Sequence, residues 1–235
     1  MCYIIETKPG LVITRNDNRQ IRVLVACEYS GTVRDAFSLK GADAWSCDIL
    51  PTESEFTKSE GKHYQCDVIE VLNQGWDLMI AHPPCTYLSF AYTGKDRYSN
   101  ERLQKKIEAY QFFLSLLSAD IPHICIENPM GYAHTGLLPY SQIIEPYFFG
   151  DHFRKKTCLW LKNLPKLIHF VTNIFEKGTE VTPTHTLINS SGKSKRKLQP
   201  IQKPFASGKE RSLFSKGIAN AMAEQWTTYI NNINS

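Results

Sequence analysis

Two short apolar segments that end abruptly near proline constrain this chain more than any other feature. The segment from Asp77 to Ala81 is followed by His82-Pro83-Pro84-Cys85. Proline cannot donate the backbone hydrogen bond that a central strand requires, so the chain must leave the sheet there. The segment from His123 to Ile126 runs in the same way into Glu127-Asn128-Pro129. We expect two buried strands, with Cys85 at the carboxyl end of one and Glu127 at the end of the other.

Alternating apolar and helical patterns predict the fold class. Strands are predicted at Ile21 to Ala26, Ala42 to Cys47, Asp77 to Ala81 and His123 to Ile126, with a further strand or hairpin within Gly150 to Leu161. Helices are predicted at Gly31 to Leu39, Asn100 to Ser118 and Ser215 to Tyr229. The stripe predicted to face the core on the longest helix consists of Leu103, Ile107, Tyr110, Leu114 and Leu117. Strands separated by helices imply parallel βαβ units, so we predict an α/β fold with a doubly wound, mostly parallel sheet.

The pattern breaks between Asn163 and Ser207. This stretch contains several prolines, a polar Asn189-Ser190-Ser191-Gly192 segment and a basic cluster from Lys193 to Lys197. The basic cluster is consistent both with a solvated face and with contact to a polyanion. We therefore predict an N-terminal extension at 1–20, a main domain formed by 21–162 together with 208–235, and a short irregular insert at 163–207.

Cysteine usage and hydropathy limit the class of protein. The 235-residue chain has seven cysteines, an odd number, and none of them forms a Cys-x-x-Cys pair. This argues against a disulfide framework and against a zinc site. The sequence has no apolar run near the roughly 18 residues that a membrane span needs, and residues 1–20 lack the order of a signal peptide. We expect a cytoplasmic protein with no metal and no membrane association.

Cys85 and Glu127 form a candidate catalytic pair. The carboxyl ends of parallel strands meet at one edge of an open α/β sheet, where loops carry ligands and chemistry. A thiol and a carboxyl group on that edge suit nucleophilic catalysis assisted by an acid. The alternative is an inert, buried thiol, since free cysteine is among the most buried residue types.

The turn after the first strand indicates a cofactor. Ala26 to Gly31 lies between a predicted strand and a predicted helix, where doubly wound folds hold nucleotide-like cofactors. It has neither Gly-x-Gly-x-x-Gly nor a Gly-Lys-Ser/Thr ending, so a dinucleotide or triphosphate is unsupported. Asp48, at the next strand end, is placed to accept hydrogen bonds from ribose hydroxyls, and Asp67 could face an adenine amino group. An adenosine cofactor without phosphates follows, and S-adenosyl-L-methionine meets that description. Both aspartates could instead be simple turn formers.

These motifs, in this order, resemble the cytosine-5 DNA methyltransferases, particularly the short forms of bacteriophages and prophages. Pro83-Pro84-Cys85 resembles the nucleophile motif of that family, and Glu127-Asn128-Pro129 resembles its Glu-Asn-Val element. Asp48 and Asp67 resemble its second and third cofactor acids. Arg154-Lys155-Lys156-Thr157 resembles its arginine-rich motif with only one arginine, and Gly217 to Ala221 resembles the segment that closes the cofactor site, with Ile218 replacing an asparagine. The resemblance covers roughly Ile21 to Leu161 and Phe214 to Trp226.

The resemblance implies methylation of cytosine carbon 5 in DNA through a covalent adduct with Cys85. Glu127 would hold the ring at nitrogen 3, Asn128 would help to fix that carboxyl group, and Arg154 would position the base or backbone. The cofactor site would consist of Cys27, Glu28, Tyr29, Ser30, Gly31, Asp48, Ile49, Asp67, Val68, His82, Pro83 and Asn220. Backbone donors and the Arg154 cluster are expected to lower the pKa of the Cys85 thiol.

The resemblance further implies a catalytic main domain, a short target-recognition-like insert, a monomer and a bacterial host cytoplasm. Two alternatives stay open. The same thiol addition would serve a methyltransferase of RNA or free pyrimidine nucleotides, which needs no large reader. The single arginine and Ile218 also leave open a binding protein of the same fold without turnover.

Overall fold

The computed structural model describes residues 19–89, 99–131, 138–151, 155–169 and 214–234, together with the backbone of 185–188 and 194–197. The main elements in chain order are β1 (Arg22–Ala26), α1 (Thr32–Leu39), β2 (Asp43–Asp48), α2 (Glu55–Glu60), β3 (His63–Gln65), β4 (Leu78–Ala81), α3 (Asn100–Leu117), β5 (His123–Pro129), β6 (Gln142–Ile144), β7 (Thr157–Lys162), β8 (His185–Ile188), β9 (Ser194–Lys197) and α4 (Lys216–Asn234). Short 3-10 helices lie at Val68–Val71 and Pro146–Phe149.

Seven of the strands form one sheet in the order β3-β2-β1-β4-β5-β7-β6. The first five are parallel to one another, whereas β7 runs antiparallel to both β5 and β6. The predicted class, an α/β fold with a doubly wound, mostly parallel and Rossmann-like sheet, is confirmed. The order reverses between β1 and β4, so the carboxyl ends of these central strands border the crevice where such folds bind ligands.

The sheet is covered on both faces, which explains the continuous apolar runs of its central strands. On one face, Val23, Val25 and Ile80 pack with Phe37 of α1 and Trp226 of α4. On the other face, Leu24, Met79 and Ile124 pack with Phe113 of α3 and Trp160 of β7. Helices α1 and α4, from the N- and C-terminal parts of the described chain, therefore pack on the same face of the sheet and against each other.

Helix α3 buries a different face from the predicted one. Leu103 and Ile107 are 52% and 44% exposed, and Leu114 is 36% exposed, so the predicted stripe is wrong for these residues. The buried side chains are Phe113, which packs edge-on against Trp160 at 5.0 Å between ring centroids, and Leu116. Apolar residues occur on both sides of this helix, so periodicity alone does not identify the side that meets the sheet.

Strand β5 is longer than predicted. Its pairing with β4 ends at Ala81 and Ile126, but its pairing with β7 continues through Glu127, Asn128 and Pro129. The prediction that β5 stops before Glu127 is wrong because the antiparallel neighbour β7 still pairs with β5 after the pairing with β4 has ended. Glu127 and Asn128 are thereby held in rigid strand geometry rather than on a loop.

The predicted irregular insert contains regular structure. β8 and β9 pair antiparallel, with His185 opposite Lys197, and the basic cluster lies largely on β9. At the start of the insert, Leu164 and Leu167 pack against the core of the main sheet. The short elements α2, β3 and β6 were not predicted, because six residues or fewer carry little periodicity. The division into extension, main domain and insert stays a prediction, and residues 1–18 lie outside the described residues.

Gly217 allows α4 to approach the preceding chain closely. A Cβ atom at this position would lie 2.0 Å from the carbonyl oxygen of Phe149, a backbone atom that cannot rotate away. We expect Gly217→Ala to lower the free energy of unfolding by about 1 to 3 kcal/mol, as for an overpacked core. Urea denaturation followed by circular dichroism would measure this loss. Lys216→Ala, at the exposed neighbouring position, is the control, and equal midpoints for the two variants would contradict the proposed contact.

Candidate active site

The thiol of Cys85 lies beyond the end of β4, on the rim formed by the carboxyl ends of the parallel strands. The backbone carbonyl oxygen of Cys85 accepts hydrogen bonds from the backbone amides of Leu88 at 3.0 Å and Ser89 at 2.8 Å, so the chain turns directly after Cys85. Cys85 is exposed, while the other described cysteines are partly or fully buried. The accessible thiol therefore sits on a defined turn.

The expected lowering of the Cys85 pKa is wrong for the ligand-free protein. Partial desolvation raises the pKa of this thiol although its side chain remains accessible, and the nearby carboxylate of Glu127 raises it further. The charge of Lys155 lowers the pKa but does not outweigh these effects. Arg154 lies outside the described residues. The buried negative charge of Glu127 at the rim is not visible in the sequence pattern. With burial and this charge raising its pKa, the thiol is mainly protonated at neutral pH.

Glu127 is a buried carboxylate with polar partners. It is 8% exposed, and Nδ1 of His82 donates a hydrogen bond to its Oε2 at 3.3 Å. Burial by itself raises the pKa of Glu127, but His82, the charge of Lys155 and a hydrogen bond from Thr157 together hold it below its usual value. In the ligand-free protein Glu127 is therefore ionised at neutral pH, and a proton must reach it before it can donate one.

Asn128 links β5 to the loop that carries Cys85. Its side chain is almost fully buried, and its Nδ2 donates a hydrogen bond to the carbonyl oxygen of Pro83 at 2.9 Å. The sequence predicts that the Asn128 amide fixes the carboxyl group of Glu127. The two side chains make no hydrogen bond with each other, because successive side chains of a strand point to opposite faces. The Oδ1 atom of Asn128 is buried and has no hydrogen-bond partner among the described residues.

A cavity of about 380 Å³ opens beside this rim. Its lining is mostly apolar but includes the carboxylates of Asp48 and Asp67. It is lined by Cys27, Tyr29, Cys47, Asp48, Ile49, Leu50, Cys66, Asp67, Val68, Pro84 and Phe112. Cys27, Tyr29, Asp48, Ile49, Asp67 and Val68 belong to the predicted cofactor site, and the structure brings them together.

The remaining lining residues were missed by sequence reasoning. Cys47 and Cys66 each directly precede one of the two acids, and Pro84 directly precedes Cys85, so their positions carried a usable signal. Phe112 carried none, because it reaches the cavity only through the docking of α3. Burial raises the pKa of Cys27 to about 12, with Asp48 and Asp67 adding to the effect, so this thiol contributes a neutral surface.

Asp48 and Asp67 each accept a backbone hydrogen bond and also line the larger cavity. Oδ1 of Asp48 accepts a hydrogen bond from the amide of Leu50 at 2.9 Å, and Oδ1 of Asp67 accepts one from Ile69 at 3.0 Å. Both residues are thus turn formers, as the alternative interpretation held, and both also line the cavity. The second carboxylate oxygen of each makes no hydrogen bond with the described part of the chain, so it is available to a ligand donor.

A second cavity of about 70 Å³ adjoins the first and shares Cys27 and Tyr29 with it. Its lining also contains the predicted cofactor residues Glu28, Ser30 and His82, and it reaches the candidate catalytic acid. The full lining is Cys27, Glu28, Tyr29, Ser30, His82, Glu127, Lys155 and Phe214. The two cavities together connect the cofactor side of the rim with the Glu127 side.

Glu28 closes the amino end of α1. Its carboxylate accepts hydrogen bonds from the backbone amides of Val33 at 2.7 Å and Arg34 at 3.0 Å. Burial raises the pKa of Glu28, while the charge of His82 and these hydrogen bonds act in the opposite direction. Helix amino ends commonly bind phosphate through such amides, but here an internal acid already occupies them. This agrees with the absence of a phosphate-binding sequence.

Several predicted residues lie away from both cavities. Gly31 has a positive φ of 75° and lies against Ser54, so its role in the structure is to form the turn. Pro83 offers its carbonyl oxygen to Asn128, and Asn220 is exposed on α4. In the same helix Ile218 is buried in the core. None of Gly31, Pro83 and Asn220 lines a described cavity.

The cavities are compatible with S-adenosyl-L-methionine. An apolar slot with two carboxylates accommodates an adenosine with its hydroxyl and amino donors, and the acidic rim favours a positively charged sulfonium. Among the described residues, no group of three or more His, Cys, Asp or Glu side chains is arranged to hold a metal ion. None of the helices in the described ranges is both long and apolar enough to span a bilayer.

Comparisons with known proteins find likeness in fold only. No family model matches the chain, and no curated protein matches it significantly. The structure is similar to that of the S. pombe Dnmt2 methyltransferase, with a TM-score of 0.45 and 20% identity over 70% of this chain and 59% of that one. It is also similar to the Entamoeba histolytica methyltransferase EhMeth, with a TM-score of 0.40 and 18% identity over 63% and 54% of the two chains. The chain spans less than two thirds of either structure, and the fold assignment rests on its own strand order.

The raised pKa of Cys85 predicts slow alkylation at neutral pH. The rate with iodoacetamide should increase about tenfold per pH unit between pH 7 and 8.5, because only the thiolate reacts. Glu127→Gln removes the carboxylate that disfavours the thiolate, so alkylation at pH 7.5 should become about three- to tenfold faster. Peptide mass spectrometry of the Cys85 fragment gives the rate. Asp67→Asn, whose charge acts on Cys27, is the control, and equal acceleration in both variants would contradict a specific effect of Glu127.

Proposed function

We propose that this protein transfers the methyl group of S-adenosyl-L-methionine to carbon 5 of cytosine in DNA through a covalent bond between Cys85 and carbon 6. One observation carries the proposal. The cavity suited to an adenosine cofactor ends at Pro84, directly beside the accessible thiol, and a buried acid lies close enough to shift the pKa of that thiol. The protein would thus be a DNA (cytosine-5-)-methyltransferase.

The cofactor would lie in the larger cavity. Asp48 would accept hydrogen bonds from the ribose hydroxyls and Asp67 would face the adenine amino group, with Ile49 and Val68 packing on the ring. The smaller cavity, near Tyr29 and Ser30, would receive the amino acid portion. When bound, S-adenosyl-L-methionine supplies an electrophilic methyl group on a positively charged sulfur.

Cys85 would activate the base. Carbon 5 of cytosine is a weak nucleophile, and addition of a thiolate at carbon 6 converts the ring into an enamine whose carbon 5 is electron-rich. Glu127 would donate a proton to nitrogen 3 as the sulfur adds, which neutralises the developing negative charge. After methylation, loss of the carbon-5 proton to a base and departure of the Cys85 sulfur restore the aromatic ring and the thiolate.

DNA is the proposed partner, and the target base would have to leave the helical stack to reach the rim. The basic stretch from Arg154 to Lys156 directly precedes β7 in the sequence, and Lys155 acts electrostatically on the site. The β8–β9 hairpin with its basic strand would contact the DNA backbone. Because the hairpin is small, we expect it to recognise only a short DNA sequence. We propose a monomer that acts in the cytoplasm of a bacterial host, in keeping with the resemblance to short bacteriophage enzymes.

Transfer of label from radioactive S-adenosyl-L-methionine tests the reaction. We expect label in unmethylated duplex DNA with the wild type and a loss of at least about 1,000-fold with Cys85→Ala, since the covalent step is then blocked. Cys125→Ala is the control, because that thiol is buried in β5 and faces no substrate.

The same assay separates the alternatives. Label in RNA or in deoxycytidine nucleotides but not in duplex DNA would replace the proposed substrate. Absence of label from every substrate, with bound cofactor demonstrated, would indicate a binding protein of this fold. Label in DNA that persists with Cys85→Ala would contradict the covalent mechanism.

Asp48→Asn tests the cofactor site. The asparagine Oδ1 can still accept the hydrogen bond from Leu50, so the turn is kept while the charge is lost. We expect the affinity for S-adenosyl-L-methionine to fall about 10- to 100-fold, the range for a lost hydrogen bond to a charged group. Isothermal titration calorimetry measures this affinity. Asp120→Asn, an exposed acid on the opposite edge of the sheet, is the control, and unchanged affinity in Asp48→Asn would exclude the assigned role.

A further inference from the structure

His82 lies at the carboxyl end of β4, between two buried acids. Its side chain is 13% exposed, and its backbone amide is fixed by a hydrogen bond to the carbonyl oxygen of Ala26 at 3.0 Å. The ring packs against Phe214 with 4.6 Å between ring centroids. It also lines the smaller cavity together with Glu28 and Glu127. The imidazole is therefore held in one orientation by contacts on several sides.

The two nitrogens of His82 have different surroundings. Nδ1 lies 3.3 Å from Oε2 of Glu127, and since an ionised carboxylate only accepts hydrogen bonds, Nδ1 carries the hydrogen. Nε2 is buried and has no hydrogen-bond partner in the described part of the chain. A ring held only for packing would not require a polar atom at either position. This arrangement points to a role in proton placement.

The ionisable groups around His82 come from each neighbouring element. The turn after β1 contributes Cys27, Glu28 and Tyr29, and β5 contributes Glu127. Lys155 approaches from the segment before β7, and Cys85 lies on the same loop as His82. Phe214 adds no charge. Of these groups, Glu127 is in direct hydrogen-bond contact with the imidazole.

The proposed reaction requires a proton source for Glu127, and His82 is in contact with that residue. Glu127 must deliver a proton to nitrogen 3, yet its pKa lies below the usual value in the ligand-free protein. Burial raises this pKa, but the hydrogen bond and charge of His82, together with Lys155 and Thr157, outweigh the effect of burial. At neutral pH the carboxylate therefore holds no proton of its own. A titratable donor in contact with Oε2 is required, and His82 occupies that place.

We propose that His82 is a positioning residue for Glu127 and stores the proton that Glu127 delivers to the base, an inference that rests on the proposed function. The step uses the imidazolium form of the ring, which has hydrogens on both nitrogens. The Cys85 thiol first loses its proton to solvent. As the resulting thiolate bonds to carbon 6, the electron pair of the carbon 5–carbon 6 double bond shifts through carbon 4 to nitrogen 3. Nδ1 passes its proton to the carboxylate of Glu127, and Glu127 passes a proton to nitrogen 3, which leaves Glu127 ionised again and a neutral imidazole with its hydrogen on Nε2. When the sulfur departs, the proton returns by the same route.

His82→Asn separates proton storage from simple positioning. Its amide nitrogen lies about where Nδ1 does and preserves the hydrogen bond, but it carries no titratable proton. We expect methyl transfer at pH 7.5 to fall about 100-fold, the range for general acid–base catalysis, with folding and cofactor binding retained. His82→Ala should lose at least as much activity. Circular dichroism melts and calorimetry establish folding and binding.

The pH profile is the deciding readout. In the wild type the logarithm of the rate should rise with pH over the acidic range, as the thiolate fraction grows, and level off once the imidazole loses its proton. In His82→Asn the rate should be nearly independent of pH, because the protonated fraction of Glu127 falls as the thiolate fraction rises. A His82→Asn profile parallel to that of the wild type would show a structural role and overturn the proposal.

A titration without methyl transfer tests the pair directly. Carboxyl-labelled glutamate, with the Glu127 signal assigned through Glu127→Gln, should show by NMR a higher pKa of Glu127 in both His82→Asn and His82→Ala. His123→Asn, a buried histidine at the opposite end of the sheet, should leave that signal unchanged. An unchanged Glu127 titration in His82→Asn would overturn the proposal even if the wild type methylates DNA. A raised pKa with no methylation anywhere would retain the pair and reject only the proposed reaction.

Discussion

The hydrogen bond from Asn128 to the Pro83 carbonyl oxygen holds the candidate site together. Two consecutive prolines leave the loop after β4 with few backbone donors, so this loop can be anchored mainly through its carbonyl groups. Asn128 supplies the donor from a strand that extends beyond β4 because β7 pairs with it. Loss of such a buried hydrogen bond costs about 1 to 3 kcal/mol. The accessible Cys85 thiol thus depends on the antiparallel strand β7, which lies on the other side of β5.

Burial sets the charge state of the rim. It raises the pKa of both Cys85 and Glu28, whereas at Glu127 the contacts with His82, Lys155 and Thr157 overcome the same effect. The ligand-free protein therefore holds a protonated thiol beside an ionised acid. Nucleophilic addition to a base requires the reverse distribution, a thiolate and a protonated acid. Proton transfer at this rim is therefore part of the proposed reaction.

The first turn shows how one fold can accept a particular class of cofactor. In dinucleotide-binding proteins the amides at the amino end of the first helix bind phosphate. Here Glu28 occupies those amides, and the larger cavity lies instead between the ends of β1 and β2, with Asp48 and Asp67 on its wall. A cofactor without phosphates suits this arrangement. The same two aspartates also form the turns at the cavity edge, so the site and the local backbone share their stabilising contacts.

The amino-acid sequence by itself determined the parts of this protein that depend on local chemistry. The two prolines after β4 remove the backbone donors that a central strand needs, so Cys85 could be placed beyond a strand end. The alternation of strand and helix patterns was sufficient for the doubly wound sheet. The tertiary structure decided whatever depends on a partner. Strand β5 continues because β7 pairs with it, and α3 buries Phe113 because Trp160 lies opposite. The pKa of Cys85 rises because the folded chain partly buries the thiol and places Glu127 near it. These effects join residues distant in the chain, and no local pattern records such distances.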